Sequence, residues 1–179
     1  IVSRPGTATQ NAGDHALFGV AVDGVDSKVR RGNNQAGAIL HAIGAGAELG
    51  EQVERSCDMF VGVAESRSIR LVYKVVKSVA VKGNRHHLRQ VLNNLIDNAI
   101  KFTPPGGKVH VTLDVNLVTR QGCLSVQDSG VGIAADEKPY LFDRFYRGDR
   151  SRRRDLVTRG TGLGLSICQA IIKGHGGTL

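Results

Sequence analysis

The sequence predicts an α+β fold in which helices cover one face of a mixed sheet. Short β-branched runs are grouped between segments of helical periodicity, an order of elements typical of that class. Of the 179 residues, 41% are hydrophobic and 22% are charged, which is the balance of a globular domain. Aromatic residues make up only 4% and tryptophan is absent, so the core must be mainly aliphatic.

The amino-terminal stretch has no clear helical or strand period. Residues 1–46 are rich in glycine, and we interpret them as a linker or a disordered arm. Within this arm, residues 15–22 could form one strand and residues 36–46 a loose helical turn. The folded domain is expected to span residues 47–179.

Three segments have the apolar spacing of amphipathic helices, at residues 47–68, 84–102 and 164–174. Asn84 is the expected N-cap of the second helix, and the third ends at a glycine, as many helices do. The apolar stripe of the first helix consists of Leu49, Val53, Cys57, Phe60, Val61 and Ala64. The stripe of the second consists of Leu88, Leu92, Leu95, Ile96 and Ala99.

The strands are predicted from β-branched runs. Residues 69–76 and 78–81 are separated by Lys77 and are expected to form a hairpin or a strand pair. Two further strands are expected at 108–115 and 122–127. A short helix around 134–141 then leads into an arginine-rich loop.

The cysteines and the apolar runs of the sequence argue against a zinc site, a disulfide framework and a membrane-spanning segment, whereas its charge says little about a partner. The formal net charge of +8 indicates a polyanionic partner only weakly. Cys57, Cys123 and Cys168 form no C-x-x-C pair, so we expect reduced core thiols and neither a zinc site nor a disulfide framework. The sequence contains no apolar run of 18 residues and no amino-terminal signal pattern.

A polar row lies beside the apolar stripe of the second predicted helix. Asn94, Asn98 and Lys101 are spaced four and three residues apart, so they share one helix face. Neutral amide oxygens suit Mg²⁺, which keeps most of its waters and relies on ligand phosphates, and a lysine suits a phosphate. A solvated helix face is the alternative interpretation.

The segment DSGVGI at 128–133 directly follows a predicted strand. Asp128 can accept a hydrogen bond from an exocyclic amine such as that of adenine. Gly130 and Gly132 allow close approach of backbone and ligand and permit a positive φ. An ordinary glycine turn is the alternative.

The segment GTGLGL at 160–165 opens the last predicted helix, where exposed N–H groups can bind an anion. It matches neither the dinucleotide-binding nor the P-loop glycine pattern. Residues 143–159, just before it, hold seven arginines against three aspartates. This loop is interpreted as a mobile lid over phosphates, with a solvated charge run or a nucleic-acid patch as alternatives.

Together, NNLIDNAIKFTP, DSGVGI, LFDRFYRGD and GTGLGL resemble the N, G1, F and G2 boxes of the ATP-binding domain of sensor histidine kinases. That domain belongs to the GHKL superfamily and has the Bergerat fold. The resemblance covers residues 47–179. It implies a two-layer α/β sandwich in which ATP lies between the helix layer and a mobile ATP lid.

By this resemblance, Asn98 would hold Mg²⁺, Asn94 would support it near the phosphates, and Lys101 would meet the phosphates. Asp128 would read the adenine amine, with Gly130 and Gly132 framing the base.

The resemblance also assigns roles in and around the lid. Phe142 and Phe145 would anchor it, and the residues that permit lid motion and phosphate approach would be Gly160, Gly162 and Gly164. The other cofactor-binding candidates are Arg147, Thr161 and Leu163.

One position separates branches of the superfamily. Its gyrase, chaperone and mismatch-repair members carry a water-activating glutamate four residues before the metal-binding asparagine, where this chain has Asn94. A dedicated ATPase is therefore disfavoured, and phosphoryl transfer to a partner group is expected. No histidine is followed by an acidic residue, as an acceptor would be, so surface or packing roles are expected for His15, His41, His86, His87, His110 and His175.

The implied function is the catalytic domain of a two-component histidine kinase, transferring the γ-phosphoryl of ATP to a histidine on a separate dimerisation domain. A response regulator would act downstream, and the parent protein would be a cytoplasmic or membrane-anchored homodimer. This segment itself is expected to contact neither nucleic acid nor membrane. The alternatives are an ATP-binding pseudokinase, an anti-sigma-type serine kinase and, remotely, a basic nucleic-acid-binding module.

The family continues past the GGTL segment with a further strand pair, whereas this sequence stops at Leu179. We therefore expect a domain that is truncated at its carboxyl end, or one whose sheet is completed by another segment. Residues 15–22 are the candidate for that role.

Overall fold

The computed structural model describes residues 34–119, 121–148 and 160–179, with side chains from Ala47 onward. Its three α-helices are α1 (Leu49–Ser66), α2 (Arg85–Phe102) and α3 (Gly164–Gly174). All three were predicted from apolar periodicity, and the predictions are confirmed. The short helix expected around 134–141 is a single 3₁₀ turn at Lys138–Tyr140.

The five strands form one mixed sheet in the order β2-β4-β5-β1-β3. The strands are β1 (Asn34–Glu48), β2 (Arg70–Val75), β3 (Ala80–Val81), β4 (Lys108–Asn116) and β5 (Gln121–Asp128). β2 and β4 run parallel, and the other pairs are antiparallel. The parallel pair needs a crossover, and α2 lies within the connection that provides it.

The core lies between this sheet and the helices. Along β4, Val109, Val111 and Leu113 are buried while His110 and Asp114 are exposed, which is the alternation of a sheet covered on one face. α2 contributes the largest group of buried side chains: Leu88, Val91, Leu92, Leu95, Ile96, Ala99 and Ile100. The predicted fold class, helices on one face of a mixed sheet, is confirmed.

Asn84 caps α2 as expected, because its side-chain oxygen accepts a hydrogen bond of 2.8 Å from the His86 amide. On α1 the predicted stripe is buried or half-buried except for Val61, which is 38% exposed. Val61 lies next to Phe60, and the two positions are about 100° apart on a helix, so they cannot both face the core.

The helical turn expected at 36–46 is wrong, because those residues belong to β1. Residues 34–41 pair antiparallel with residues 121–128 of β5, in register from Asn34 against Asp128 to His41 against Gln121. The pairing satisfies backbone groups of β5 that would otherwise form an open sheet edge. The paired residues are 80 to 94 positions apart in the sequence, so no local pattern could predict the pairing. Residues 15–22, our candidate for this position, lie outside the described residues, and the division into arm and domain stays a prediction.

The hairpin expected from 69–76 and 78–81 is also wrong. β2 and β3 lie at opposite edges of the sheet, β2 beside β4 and β3 beside β1. Ser78, between them, turns toward α1 instead: its hydroxyl accepts a hydrogen bond from the Gly50 amide and donates one to Glu48. The connection therefore caps the start of α1 and does not form a β-turn.

The cysteines are free, and two of them lie in the core. Burial raises the pKa of the Cys57 thiol to about 12 and that of Cys168 to about 11, so both are neutral at physiological pH. None of the described helices combines the length and apolar character needed to cross a bilayer.

The packing of α2 gives a direct stability test. Ile96 is fully buried, so Ile96→Ala should lower the free energy of unfolding by about 2–5 kcal/mol in urea denaturation. Met59→Ala on α1 is the matched control, because Met59 is 56% exposed and should change stability by about 0.5 kcal/mol or less. Equal effects of the two truncations would contradict the assignment of α2 as the core helix.

Candidate functional site

The predicted polar row of α2 lies against the start of α3. Asn94 and Asn98 are half-buried, and both approach Gly164, the first residue of α3. The Asn94 side-chain amide donates to the Gly164 carbonyl at 3.5 Å, and a β-carbon at position 164 would lie 3.9 Å from the Asn98 amide nitrogen. The structure thus brings residues of the first and last motifs together.

The start of α3 lies beside this polar row. Leu163 occupies its N-cap position, and no side chain of the described residues caps it. The first turn of an α-helix has N–H groups without partners and carries the positive end of the helix dipole. This first turn begins at Gly164, beside Asn94 and Asn98, and such a helix start suits a phosphate.

Lys101, the third member of the polar row, forms an ion pair with Asp97 one turn earlier on α2. The lysine side chain is 26% exposed and that of Asp97 is 36% exposed. Sequence reasoning did not assign a role to Asp97, although its spacing of four residues is the standard one for a helical ion pair. In this structure Asp97, on its own helix, neutralises the lysine that is predicted to meet phosphate.

The DSGVGI turn closes against the carboxyl end of α2. Asp128 accepts a 2.8 Å hydrogen bond from the Gly130 amide, which folds the carboxylate back over the turn. Gly130 is buried, and a β-carbon there would lie only 2.6 Å from the Phe102 carbonyl oxygen. Glycine is therefore required at 130 by close approach to α2, and at Gly132 by a φ of +73°.

Ser129 was not singled out from the sequence, but it fixes this turn on the sheet. Its hydroxyl accepts a hydrogen bond from the Lys108 amide, and its own amide donates to the Lys108 carbonyl. The motif contained Ser129, yet no local signal identifies the strand to which it binds.

The two ends of the predicted lid meet through their backbones. The Phe145 amide donates to the Gly162 carbonyl at 3.0 Å, and a β-carbon on Gly162 would lie 2.7 Å from the Phe145 carbonyl carbon. Phe145 has a φ of +64°, a conformation that costs a non-glycine residue about 1–3 kcal/mol. Its ring is 70% exposed, so it is the backbone of Phe145 that contacts Gly162.

The remaining predicted residues flank this contact. Phe142, Arg147 and Leu163 are half-buried, whereas Gly160 and Thr161 are exposed. Residues 149–159, which make up most of the predicted lid, lie outside the described residues.

Cys168 also supports the site, although the sequence suggested only a packing role. It is fully buried on α3, and its sulfur lies 3.9 Å from the Val91 carbonyl of α2. Its raised pKa comes mainly from burial, with a smaller lowering by a hydrogen bond to the Asn94 side chain. The thiol therefore links α3 to the Val91 turn of α2.

The described residues contain no cluster of three or more histidine, cysteine or acidic side chains that could hold a metal ion.

Comparison with known proteins agrees with this geometry. Residues 83–179, more than half of the chain, match the family described as histidine kinase-, DNA gyrase B- and HSP90-like ATPases. The chain is 45% identical over 97 residues to the sensor histidine kinase RppB of Synechocystis sp., covering 54% of this chain and 20% of RppB. It is 41% identical over 103 residues to the sensor histidine kinase WalK of Bacillus subtilis, covering 58% of this chain and 16% of WalK. The chain thus spans about a fifth or less of the length of these relatives.

Solved structures show the same fold. The mycobacterial sensor histidine kinase MprB superposes with a TM-score of 0.59 at 29% identity, covering 75% of this chain and 81% of that one. Full-length ShkA in complex with AMPPNP superposes with a TM-score of 0.58 at 27% identity, covering 73% of this chain and 26% of ShkA. The histidine kinase ThkA, in complex with the response regulator protein TrrA, superposes with a TM-score of 0.56 at 26% identity, covering 72% of this chain and 34% of that one.

The contact between Phe145 and Gly162 predicts a strict requirement for glycine. Gly162→Ala combines a φ of +72° with a clash against backbone, so we expect a loss of about 1–3 kcal/mol of unfolding free energy, measured in urea. Gly160→Ala is the control, because a β-carbon there meets nothing within 4 Å. Equal stability of the two variants would refute the contact.

Proposed function

We infer that this chain, which belongs to the family of histidine kinase-, DNA gyrase B- and HSP90-like ATPases, is the catalytic ATP-binding domain of a two-component sensor histidine kinase. The observation that carries this proposal is the meeting of Asn94 and Asn98 with the uncapped start of α3 at Gly164. The relatives support the histidine kinase branch of the family, since both are named sensor histidine kinases. ATP is the proposed ligand, and the AMPPNP bound by ShkA supports it.

The residues that would hold ATP lie along the carboxyl-terminal half of α2 and in the segments packed against it. Asp128, in the turn packed against Phe102 at the carboxyl end of α2, would accept a hydrogen bond from the adenine amine. The amide groups at the start of α3 would donate to phosphate oxygens beside Asn94 and Asn98. Lys101 would add positive charge if it exchanged Asp97 for a phosphate.

Magnesium fits this set of residues. Asn98 is half-buried beside Gly164, and its neutral oxygen is of the kind that Mg²⁺ accepts together with waters and phosphate oxygens. Bound Mg²⁺ would supply charge neutralisation for phosphoryl transfer. The protein's part would be to hold Asn98 in position, with the neighbouring Asn94 bonded to the Gly164 carbonyl.

The residue at position 94 favours transfer to a protein acceptor over hydrolysis. A general base must lie within hydrogen-bond reach of the water that it activates. Asn94 occupies the place on the α2 face from which a carboxylate would act, and an amide cannot accept a proton at neutral pH. Phosphoryl transfer is mostly positioning and charge stabilisation, which this arrangement can provide once an acceptor arrives.

The acceptor would be a histidine on a dimerisation domain, in the same parent chain or in a second one, with a response regulator downstream. The ThkA complex with TrrA supports such a pairing. A homodimeric, cytoplasmic kinase core is the assembly that we propose. The intact LFDRFYRGD segment argues against the serine-kinase alternative. The retained Asn98 and Lys101 argue against the pseudokinase alternative.

Asp128→Asn tests the adenine contact. The asparagine oxygen can keep the bond from the Gly130 amide, which would leave an NH₂ donor facing the adenine amine, also a donor. ATP binding by isothermal titration should weaken at least about tenfold, which is ~1.4 kcal/mol. Asp114→Asn, at an exposed position of β4, is the control and should bind like the wild type. Unchanged affinity in Asp128→Asn would remove this residue from the site.

Phosphotransfer provides the second test. Incubated with γ-labelled ATP, the chain alone should acquire no label and should release phosphate very slowly. A histidine-bearing dimerisation domain from a sensor histidine kinase, added in trans, should acquire acid-labile, alkali-stable label, and Asn98→Ala should abolish this transfer.

Two results would contradict this proposed function. Acid-labile label on the isolated chain would reveal an internal acceptor histidine. Fast hydrolysis that Asn98→Ala abolishes would instead place the chain on the ATPase branch of the family.

A further inference from the structure

His175, immediately after α3, links α3 to the start of α2. Its Nε2 atom accepts a 3.1 Å hydrogen bond from the Asn84 amide, and its Nδ1 atom lies 2.7 Å from the Ile171 carbonyl oxygen. Asn84 is the residue that caps α2. The ring therefore connects the end of one helix to the beginning of another.

These two partners define the state of the ring. A carbonyl oxygen can only accept, so Nδ1 must carry a hydrogen, and an amide N–H can only donate, so Nε2 must not. His175 is therefore neutral, in the Nδ1–H tautomer. A proton added at Nε2 would place a donor against the Asn84 donor.

The backbone at Gly83 is shaped to receive this ring. A β-carbon on Gly83 would lie 2.1 Å from His175 Cδ2 and 2.4 Å from Nε2. Hydrogen bonds hold both of its nitrogen atoms, so a side chain at position 83 could displace the ring only by breaking them. The ring edge of His87 lies on another side, with centroids 6.3 Å apart.

Contacts between α2 and α3 follow an antiparallel register. Gly164 meets Asn94, Cys168 meets the Val91 carbonyl, and His175 meets Asn84. Among the described residues, the first two polar contacts are long, at 3.5 and 3.9 Å, whereas the His175 bond measures 3.1 Å. The shortest of these three polar contacts is thus at the end farthest from the candidate site.

We propose that His175 is a positioning residue of the nucleotide site, which sets how the start of α3 faces Asn94 and Asn98. This inference rests on the proposed function. α3 spans 11 residues, about 15 Å, and a helix of that length transmits a shift at one end to the other. Displacements of about 1 Å can change the efficiency of a site up to a hundredfold.

Two substitutions at one position separate the roles of the two ring nitrogens. His175→Asn can still donate to the Ile171 carbonyl but is too short to reach Asn84. His175→Gln is one methylene longer and can place its oxygen near the Nε2 position, so it can accept from the Asn84 amide. We expect Mg-ATP affinity by isothermal titration to fall about tenfold in His175→Asn and to stay within about twofold in His175→Gln.

A second pair of variants tests the contact from its other side. Gly83→Ala should push the ring from its place and reproduce the loss of affinity. Gly174→Ala, next to His175 on α3, is the control, because a β-carbon there meets nothing within 4 Å. Circular dichroism identifies any variant that fails to fold. If His175→Asn fails to fold, the comparison of Mg-ATP affinity between Gly83→Ala and Gly174→Ala tests the proposal instead.

Nitrogen NMR of the wild-type chain gives a readout that does not depend on nucleotide. It should show the His175 ring protonated at Nδ1 and unprotonated at Nε2. An Nε2–H tautomer, or wild-type ATP affinity in folded His175→Asn, would overturn the inference alone. A wild-type chain that binds no adenine nucleotide would overturn the proposed function first, and the positioning role with it.

Discussion

The candidate site depends on the packing of one helix, α2, which contributes side chains both to the core and to the site. α2 buries seven of its 18 residues against the sheet and its neighbouring helices. The same helix presents Asn94 and Asn98 to α3, and its last carbonyl groups to the DSGVGI turn. Because close packing fixes how α2 is rotated about its axis, it also fixes where these amide groups point.

Two backbone contacts of the site require glycine. Gly130 rests on the Phe102 carbonyl, and Gly162 on the backbone of Phe145 and Tyr146, at distances that a β-carbon would not allow. Phe145 accepts a left-handed conformation at the same contact. Strain of this kind persists only where the surrounding structure holds it, and here it occurs where the predicted lid begins and ends.

The chemistry proposed for the chain follows from what α2 offers and from what it lacks. Amides, a lysine and free helix-terminal N–H groups can hold a polyphosphate, but Asn94 provides no base to activate water. The buried, neutral thiol of Cys168 and the neutral ring of His175 add hydrogen bonds without adding charge. The site is therefore suited to holding a phosphoryl donor until a separate acceptor approaches.

The sequence by itself determined the three helices, β4 and β5, and the motifs that the structure brings to α2, because apolar periodicity, caps and glycine spacing are local signals. Only the tertiary structure decided that residues 34–41 pair with β5 and that β2 and β3 separate to opposite edges of the sheet. The sequence also contained no signal for the hydrogen bonds that join Ser129 to Lys108 and His175 to Asn84. Most of these contacts join residues far apart in the chain, so their free energy depends on which surfaces meet after folding, and no local pattern records it.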